Sequence, residues 1–224
     1  CRLWPGGRSR QLDASRPQSR SKSTRLRPVS GPPRLAVLAS GGGTNLQALI
    51  DASERGDLSA KVALVVSNNS KSGALERARK HDIAWRHISS RTDDNPDQAL
   101  LDALREHGCG VIALAGYMKK LPELVIAAYP GRIVNIHPAP LPAFGGQGMF
   151  GDHVHERVLA EGAKASGPTV HVVTAEYDEG PTLDHTPVPV EAGDTVVTLK
   201  ARVQAAEYEL YWRVIEAQFC RSSR

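Results

Sequence analysis

The sequence predicts a single α/β domain built on a mostly parallel β-sheet with helices on both faces. From residue 35 onward, short apolar runs alternate with longer segments in which apolar residues recur at helical spacing. The short runs are apolar throughout, as in strands that are covered on both faces of a parallel sheet. The 224 residues and the hydrophobic content of 41% suffice for one core of ordinary size.

Seven segments have the composition of strands. The first is a run of Leu, Ala and Val that ends at the turn signal Ser40-Gly41-Gly42-Gly43. The last contains Pro187 and Pro189, which cannot donate to a ladder, so we expect it at a sheet edge. In chain order the predicted strands cover residues 35–39, 62–66, 84–88, 111–115, 132–136, 169–174 and 186–190.

Six segments have helical spacing. In the first of them Leu46, Leu49 and Ile50 lie on one face, and we expect Thr44 or Asn45 to cap its N-terminus. In chain order the predicted helices cover residues 44–54, 74–81, 97–107, 122–129, a segment that ends at 156–161, and 195–219. Ligands of such folds bind outside the carboxyl ends of the strands, so we expect functional residues just after each strand.

Positive charge is concentrated at the amino end. Residues 1–34 contain nine Lys or Arg and one acid, Asp13, whereas residues 35–224 contain 19 Lys or Arg and 23 Asp or Glu. The body is therefore mildly acidic despite the net charge of +4, and it lacks the basic face of a nucleic-acid-binding domain. No apolar run approaches the roughly 20 residues that span a bilayer. We expect neither nucleic acid nor a membrane as a partner.

Residues 1–33 are rich in Arg, Ser and Pro and have no hydrophobic period. This composition is typical of organelle transit peptides, and a disordered tail is the alternative. We therefore divide the chain into a leader at 1–33, a folded domain at 34–220 and a tail at 221–224. The cysteines Cys1, Cys109 and Cys220 are widely spaced and form no metal-binding motif, so we expect reduced thiols and no metal.

Two strand ends carry residues that suit chemistry. The glycine-rich segment 40–45 precedes a predicted helix, where backbone N–H groups bind anions such as phosphate; a plain tight turn is the alternative. Asn135 and His137 are two residues apart in a strand and so project to the same side. An amide beside an imidazole suits an oxyanion formed in acyl transfer, and a hydrogen-bonded structural pair is the alternative.

A third strand end is the segment Glu176-Tyr177-Asp178-Glu179-Gly180-Pro181. A carboxylate at Asp178 close to His137 would favour the protonated imidazole. The alternative is that the segment is an ordinary turn, for which Asp-x-Gly-Pro is typical. Among the remaining polar and aromatic residues, we interpret His155 as structural, His171 as a support of the site and Tyr211 as a core residue.

Four segments in this order resemble the glycinamide ribonucleotide formyltransferase family. They are residues 38–48, 114–118, 134–138 and 177–181, which read LASGGGTNLQA, LAGYM, VNIHP and YDEGP. The Asn-x-His pair with a distant Asp is shared by folate-dependent formyltransferases, whereas the glycine loop followed by Asn-Leu-Gln-Ala is typical of the glycinamide branch. The resemblance extends from about residue 34 to residue 220.

The resemblance implies a Rossmann-like formyltransferase fold. It implies transfer of a formyl group from 10-formyltetrahydrofolate to the amine of 5'-phosphoribosylglycinamide in purine biosynthesis, without a metal. The implied catalytic residues are Asn135, His137 and Asp178, with His137 protonated near neutral pH. The implied substrate-binding residues are Gly43, Thr44, Asn45, Gln204 and Glu207. The implied folate-binding residues are Met118, Lys119, Lys120, Leu121, Asn135, Thr174 and Asp178.

The glycine-rich loop at 144–151 and the leader resemble plant-type members, which implies a chloroplast protein of a plant or alga, with the mitochondrion or cytoplasm as alternatives. A formyltetrahydrofolate hydrolase and a non-catalytic folate- or nucleotide-binding regulator are the alternative functions. The glycine loop and Glu207 favour the transferase over the hydrolase, and the intact set of Asn135, His137 and Asp178 disfavours the regulator. We expect a monomer or homodimer whose partners are small molecules.

Overall fold

The computed structural model describes residues 32–220, so the expected tail at 221–224 and the expected leader, apart from residues 32 and 33, lie outside the described residues. In chain order the described elements are β1 Arg34–Leu38, α1 Thr44–Arg55, β2 Lys61–Ser67, α2 Gly73–Lys80, β3 Trp85–His87, α3 Pro96–Glu106, β4 Val111–Leu114, α4 Glu123–Ala128, β5 Ile133–His137, α5 Asp152–Ala160, β6 Ala165–Ser166, β7 Thr169–Val172, β8 Thr182–His185, β9 Val188–Pro189, α6 Val196–Ile215 and a π-helical turn at Glu216–Cys220.

Seven strands form one sheet in the order β3-β2-β1-β4-β5-β7-β8. The ladders from β3 through β5 are parallel, and β7 pairs antiparallel with both β5 and β8. The predicted mostly parallel sheet is therefore confirmed. The chain extends the sheet from β1 to β3 and then returns to place β4 on the other side of β1. The carboxyl ends of β1 and β4 thus form a switch point, where ligands bind in folds of this kind.

Alternate residues of the central strands enter two different cores, one on each face of the sheet. In β1, Leu35 and Val37 pack with α1, α2 and α6, whereas Ala36 and Leu38 pack with α3 and α4. None of the four side chains is exposed. Burial on both faces explains why this strand is apolar throughout, and it confirms the prediction of helices on both faces.

Local sequence sets the start of three helices. Ser72 caps α2, and Asn95 caps α3 just before Pro96 in the first turn. Thr195 and Thr198 form a reciprocal capping box at the start of α6, so that each hydroxyl accepts a hydrogen bond from the backbone N–H of the other residue. These side chains bond to backbone N–H groups that have no partner within the helix.

Helix α1 begins differently, and the expected cap at Thr44 or Asn45 is wrong. Gly43 occupies the cap position with a left-handed φ of 73°, and no side chain accepts a hydrogen bond from the first turn. Only glycine adopts this conformation without a steric penalty. The N–H groups at the start of α1 therefore stay available to a ligand.

The far edge of the sheet also differs from the prediction. The segment 186–190 does not form the edge strand; only Val188–Pro189 is paired, with Ala165–Ser166 in a separate two-stranded sheet. The edge is β8, Thr182–His185, whose side chains are exposed or half-buried. A strand with so little buried surface has no apolar run, and the sequence therefore did not reveal it.

Helix α6 is tied to the centre of the sheet by Tyr211. Its hydroxyl lies 2.8 Å from the Leu114 carbonyl oxygen in β4 and 3.1 Å from the Val134 carbonyl oxygen in β5. The side chain is fully buried, in agreement with its interpretation as a core residue. Burial raises the pKa of this hydroxyl well above its usual value, so the group stays protonated and donates.

We expect Tyr211→Phe to lower the free energy of unfolding by about 1–2 kcal/mol, because it leaves the buried carbonyl oxygens without this donor. Urea denaturation of the wild type and the variant measures the difference. Tyr208→Phe is the matched control: Tyr208 lies on the same helix, is half-buried and has no hydroxyl partner within the described chain, so its removal should change stability by less than about 0.5 kcal/mol. Equal losses in both variants would contradict this role of Tyr211.

Candidate active site

A cleft of about 730 Å³ opens at the carboxyl ends of β1, β4 and β5. Its walls are the glycine loop at residues 40–45, the segment 115–118 after β4, the end of β5, the loop at 146–151 and one face of α6. Ser40 joins the first two walls, because its Oγ accepts a hydrogen bond of 2.8 Å from the Met118 N–H. The segments that follow these three strands thus line a single cleft.

The glycine loop packs backbone against backbone on the start of α2. A Cβ atom at Gly43 would lie 2.8 Å from Ala74 Cα, so close approach and the left-handed φ both require glycine there. The backbone N–H groups of residues 42–45 lie on the cleft wall, and none has an acceptor within residues 32–220. Free N–H groups at a helix start bind anions, so the segment is both a tight turn and a suitable phosphate site.

Asn45, which is half-buried, and Glu207, which is buried, form a hydrogen-bonded pair beside this loop. Asn45 Nδ2 donates to Glu207 Oε2 at 2.9 Å, and the Glu207 side chain is almost fully buried. Burial raises the pKa of Glu207 to about 7, although the bond from Asn45 opposes that shift. Asn45 Oδ1 is also buried, and it has no partner in the described part of the chain. The pair therefore offers an unused acceptor to a polar ligand.

Asp178 brings a carboxylate to the imidazole of His137. His137 Nδ1 lies 3.6 Å from Asp178 Oδ2, and the opposite ring nitrogen, Nε2, lies 2.8 Å from the carbonyl oxygen of Phe144. The Gly146 N–H also donates to Asp178 Oδ2, at 3.0 Å. The loop before α5 thus contacts both members of the pair.

His171 links the same carboxylate to Asn135. Its Nε2 lies 3.1 Å from Asn135 Nδ2 and 3.4 Å from Asp178 Oδ1, while its Nδ1 lies 3.1 Å from the Val172 carbonyl oxygen. Asn135 and His171 are directly opposite each other in the β5–β7 ladder. One N–H of the Asn135 amide faces His171, and the second remains for a ligand oxygen.

The expected protonation of His137 is wrong for the free protein. Burial lowers the pKa of His137 below its ordinary value, and the negative charge of Asp178 only partly offsets this effect. For Asp178, burial raises the pKa, but the proximity of His171 and His137 and the hydrogen bond from the Gly146 N–H outweigh it, so its pKa is lowered overall. The free site therefore combines an ionised carboxylate with a neutral His137 imidazole near pH 7.

The turn that carries Asp178 is tightly constrained. Asp178 has a left-handed φ of 57°, which is unusual for a residue other than glycine. Two residues later, a Cβ atom at Gly180 would lie 1.7 Å from the Val172 carbonyl oxygen, so only glycine allows the chain to return against β7. One segment therefore both forms the Asp-x-Gly-Pro turn and supplies the carboxylate of the site.

Comparison with known proteins agrees with this geometry. A family model described as formyl transferase matches residues 33–215. The chain belongs to the formyl transferase family. The chloroplastic phosphoribosylglycinamide formyltransferase of Vigna unguiculata is 42% identical over 187 residues, which are 82% of this chain and 60% of that relative. The chain thus spans about three fifths of the length of the plant relatives that it matches.

Two solved structures have the same fold. Glycinamide ribonucleotide transformylase 1 from Symbiobacterium toebii is 36% identical, with a TM-score of 0.78 over 91% of this chain and 97% of that one. A formyltetrahydrofolate deformylase from Pseudomonas syringae pv. tomato is 25% identical, with a TM-score of 0.75 over 84% of this chain and 61% of that one. The predicted Rossmann-like formyltransferase fold is confirmed.

The residues expected to bind folate divide into two groups in this member of the family. Met118, Asn135 and Asp178 lie on the cleft wall. Lys119, Lys120, Leu121 and Thr174 do not. Lys119 Nζ is 3.5 Å from Asp97 Oδ1, and Lys120 Nζ is 5.6 Å from the centre of the Tyr177 ring. The Leu121 side chain is buried in the core on the α3–α4 face, and Thr174 Oγ1 donates to the Glu176 carbonyl oxygen.

The cleft also contains residues that the sequence analysis missed. Lys200 lies beside Gln204 and Glu207 on the face of α6 that lines the cleft, and its Nζ is 2.7 Å from Asp152 Oδ1. Lys200 precedes Gln204 by four residues and Glu207 by seven, and this helical spacing is the sequence signal that identifies it. His155, interpreted as structural, also lines the cleft; its side chain is buried, and its Nδ1 has no partner among residues 32–220.

Two negative findings concern residues 32–220 only. Within them, no group of three or more His, Cys, Asp or Glu side chains is arranged to hold a metal ion. No helix in the same range has the length and apolar character required to cross a membrane.

Glu207 makes stability depend on pH. Its folded-state pKa of about 7 exceeds the ordinary value of 4.5, so the folded protein keeps a proton that the unfolded chain loses between these values. Through this group, the free energy of unfolding falls as pH rises from about 4.5 to 7. Glu207→Gln still accepts from Asn45 but does not ionise. We expect it to be more stable than the wild type by about 1–3 kcal/mol at pH 8, with the difference vanishing below pH 5.

Urea denaturation from pH 5 to 8 measures this difference. The control is Glu209→Gln, which removes an exposed carboxylate from the same helix and should leave the pH profile unchanged. Parallel pH profiles for the wild type and Glu207→Gln would show that burial does not raise the pKa of Glu207.

Proposed function

We propose that this chain transfers the formyl group of 10-formyltetrahydrofolate to the amine of 5'-phosphoribosylglycinamide, a step of purine biosynthesis. One observation carries the proposal. Asn135, His137 and Asp178 converge on the same cleft as the glycine loop and the Asn45–Glu207 pair. An acyl-transfer site beside an anion site suits a phosphorylated amine that accepts a formyl group.

The phosphorylated substrate is assigned to the wall formed by the glycine loop and α6. The free N–H groups of Gly43, Thr44 and Asn45 donate to phosphate oxygens, and the Lys200 ammonium supplies a counter-charge. Gln204 and Glu207 then face the sugar, with Asn45 Oδ1 as a further acceptor.

The folate is assigned to the opposite end of the cleft, beside the 174–178 loop. Met118 and Tyr177 line the cleft and each expose about half of their surface, which is unusual for large apolar side chains and provides contacts for a pteridine ring. We assign Lys119, Lys120 and Thr174 to the rim of this end, because Lys120 lies beside the cleft residue Tyr177. Leu121 is buried in the core and supports the segment from within.

The reaction begins when the substrate amine attacks the formyl carbon and negative charge collects on the formyl oxygen. The free N–H of the Asn135 amide donates to that oxygen at any pH. His137 starts neutral, but a developing negative charge beside its ring raises the imidazole pKa and favours uptake of a proton from solvent, which the ring releases again when the intermediate collapses. Asp178 stabilises the imidazolium as it forms, because its carboxylate faces the ring nitrogen Nδ1.

A new C–N bond to the amine and cleavage of the C–N bond to the folate complete the transfer. The amine loses one proton, and N10 of the folate gains one. Asp178 is ionised near neutral pH and serves as the carrier through a water molecule. No step requires a metal.

A formyltetrahydrofolate hydrolase is the second candidate, since a deformylase has the same fold. It would use Asn135, His137 and Asp178 to direct water instead of an amine. The glycine loop with free N–H groups and the hydrogen-bonded Asn45–Glu207 pair favour the transferase, because a reaction with water has no use for a phosphate site. A non-catalytic regulator would have no need of the Asn135, His171 and Asp178 network.

Several further proposals accompany this function. The plant relatives are named chloroplastic, which supports a plastid location, with the mitochondrion or cytoplasm as alternatives. We propose that residues 1–33 serve as a transit peptide, 34–220 as the catalytic domain and 221–224 as a tail. A monomer or homodimer that binds small molecules, and neither nucleic acid nor membrane, fits an acidic body whose cleft lies within one chain.

The proposed function predicts formyl transfer that requires both substrates. The full chain is mixed with phosphoribosylglycinamide and 10-formyltetrahydrofolate, and the folate product is followed by absorbance. We expect Asn135→Ala to lower kcat by about 100- to 1000-fold, because it removes one donor to the oxyanion. We expect a loss of at least this size for His137→Ala. The control is His87→Ala on the short edge strand β3, which should keep wild-type kcat.

The outcomes separate the candidates. Folate deformylation without the amine substrate would contradict the transferase and support the hydrolase. Binding of both ligands without product, by a chain that is folded, would leave only the regulator. Activity that survives both Asn135→Ala and His137→Ala would place the chemistry elsewhere.

A further inference from the structure

Successive carbonyl groups of the glycine loop are held on the side away from the cleft. Ser72 Oγ donates to the Gly41 carbonyl oxygen at 2.8 Å, and Arg77 Nε donates to the Gly42 carbonyl oxygen at 2.9 Å. Ser72 is the residue that caps α2, and Arg77 lies in the last turn of this short helix. In a planar trans peptide, the C=O and the next N–H point in opposite directions. Holding these carbonyls outward therefore directs the next N–H groups into the cleft.

A third donor extends the pattern by one peptide. Asn69 Nδ2 donates to the Ser40 carbonyl oxygen at 3.1 Å, and Asn69 follows the end of β2. Three consecutive peptides of the loop are thus oriented from the β2–α2 side. Of the three donors, only Arg77 carries a charge, and a charged donor forms the stronger hydrogen bond.

Arg77 also joins the loop to α1. Its terminal nitrogen donates to Gln47 Oε1 at 2.9 Å, and Gln47 Nε2 in turn donates to Asp51 Oδ1 at 2.7 Å. Arg77 itself does not line the cleft. It therefore contacts the loop and the first turns of α1 from behind, without reaching a ligand in the cleft.

We propose that Arg77 is a positioning residue that sets the orientation of the Gly42–Gly43 peptide, so that the Gly43 N–H faces the phosphate of the substrate. The inference rests on the proposed function for the identity of the substrate. Without Arg77, the Gly42 carbonyl loses its partner and the peptide is free to rotate. A carbonyl oxygen turned into the cleft repels a phosphate that an N–H would bind. Ser72 and Asn69 still hold the neighbouring peptides, so the fold of the loop persists.

The planar shape of the Arg77 guanidinium is needed to contact Gly42 and Gln47 together, and a positive charge alone is insufficient. Arg77 bonds Gly42 and Gln47 with two different nitrogens of one planar group. A lysine ammonium is a single point donor and does not span both acceptors in this geometry. The Arg77→Lys variant therefore keeps the charge near the loop but loses the two-point contact.

The test compares Arg77→Met and Arg77→Lys with Arg79→Met in the full chain. Arg79 lies on the same helix and packs its guanidinium over the Trp85 ring at 4.1 Å, so its removal is an equal change of charge away from the loop. Steady-state kinetics give kcat and the KM for each substrate. Competition by inorganic phosphate, and the thermal stabilisation that phosphate produces, report on the loop without turnover.

We expect Arg77→Met to raise the KM for phosphoribosylglycinamide about tenfold and to weaken phosphate inhibition by a similar factor. The KM for the folate and kcat should change by less than about twofold. Arg77→Lys should lie between the wild type and Arg77→Met, and Arg79→Met should match the wild type. Arg77→Lys alone provides the comparison if Arg77→Met does not fold.

An unchanged KM for phosphoribosylglycinamide in a folded Arg77 variant would overturn the inference. A variant in which kcat falls and the KM values of both substrates rise by the same factor would overturn it as well. A wild-type chain without formyl transfer would overturn the proposed function instead. In that case, phosphate stabilisation that Arg77→Met weakens and Arg79→Met retains would still support the positioning role.

Discussion

Polar groups buried at the carboxyl end of the sheet have to pair with one another, and this constraint organises the cleft. Asp178 is surrounded by His137, His171 and the Gly146 N–H, and His171 also holds the Asn135 amide. These groups come from β5, β7 and two separate loops. The antiparallel addition of β7 to a parallel sheet is therefore what places His171 beside Asn135 and completes the network.

The cleft contains groups that disfavour the folded state locally. Glu207 is buried with a raised pKa, and Asp178 adopts a backbone conformation that is costly for most residues. Both are maintained by the surrounding structure, in which Tyr211 fastens α6 to the central strands from the core. Enzyme clefts commonly contain groups that bind or react but lower the stability of the fold. Here these groups lie on two walls of one cleft.

Much of the site could be predicted from local pattern. The two-residue spacing of Asn135 and His137 placed both on one side of β5, and both line the cleft. His155 was missed because its position next to the cleft depends on how α5 packs against α6. Arg77 was missed because its partners, Gly42 and Gln47, lie about 30 residues away in sequence. Contacts between distant segments leave no periodic signal in a single sequence.

The sequence alone determined the central strands, the helices on both faces and the glycine loop, because buried strands, helical faces and left-handed turns each restrict the residues that occupy them. Tertiary structure decided the sheet edge, since β8 buries too little surface to require an apolar run. It also decided the charge of His137, because burial lowers the imidazole pKa more than Asp178 raises it. The sequence motifs indicate that a carboxylate lies near His137. The desolvation of its imidazole, in contrast, depends on every element packed around the ring.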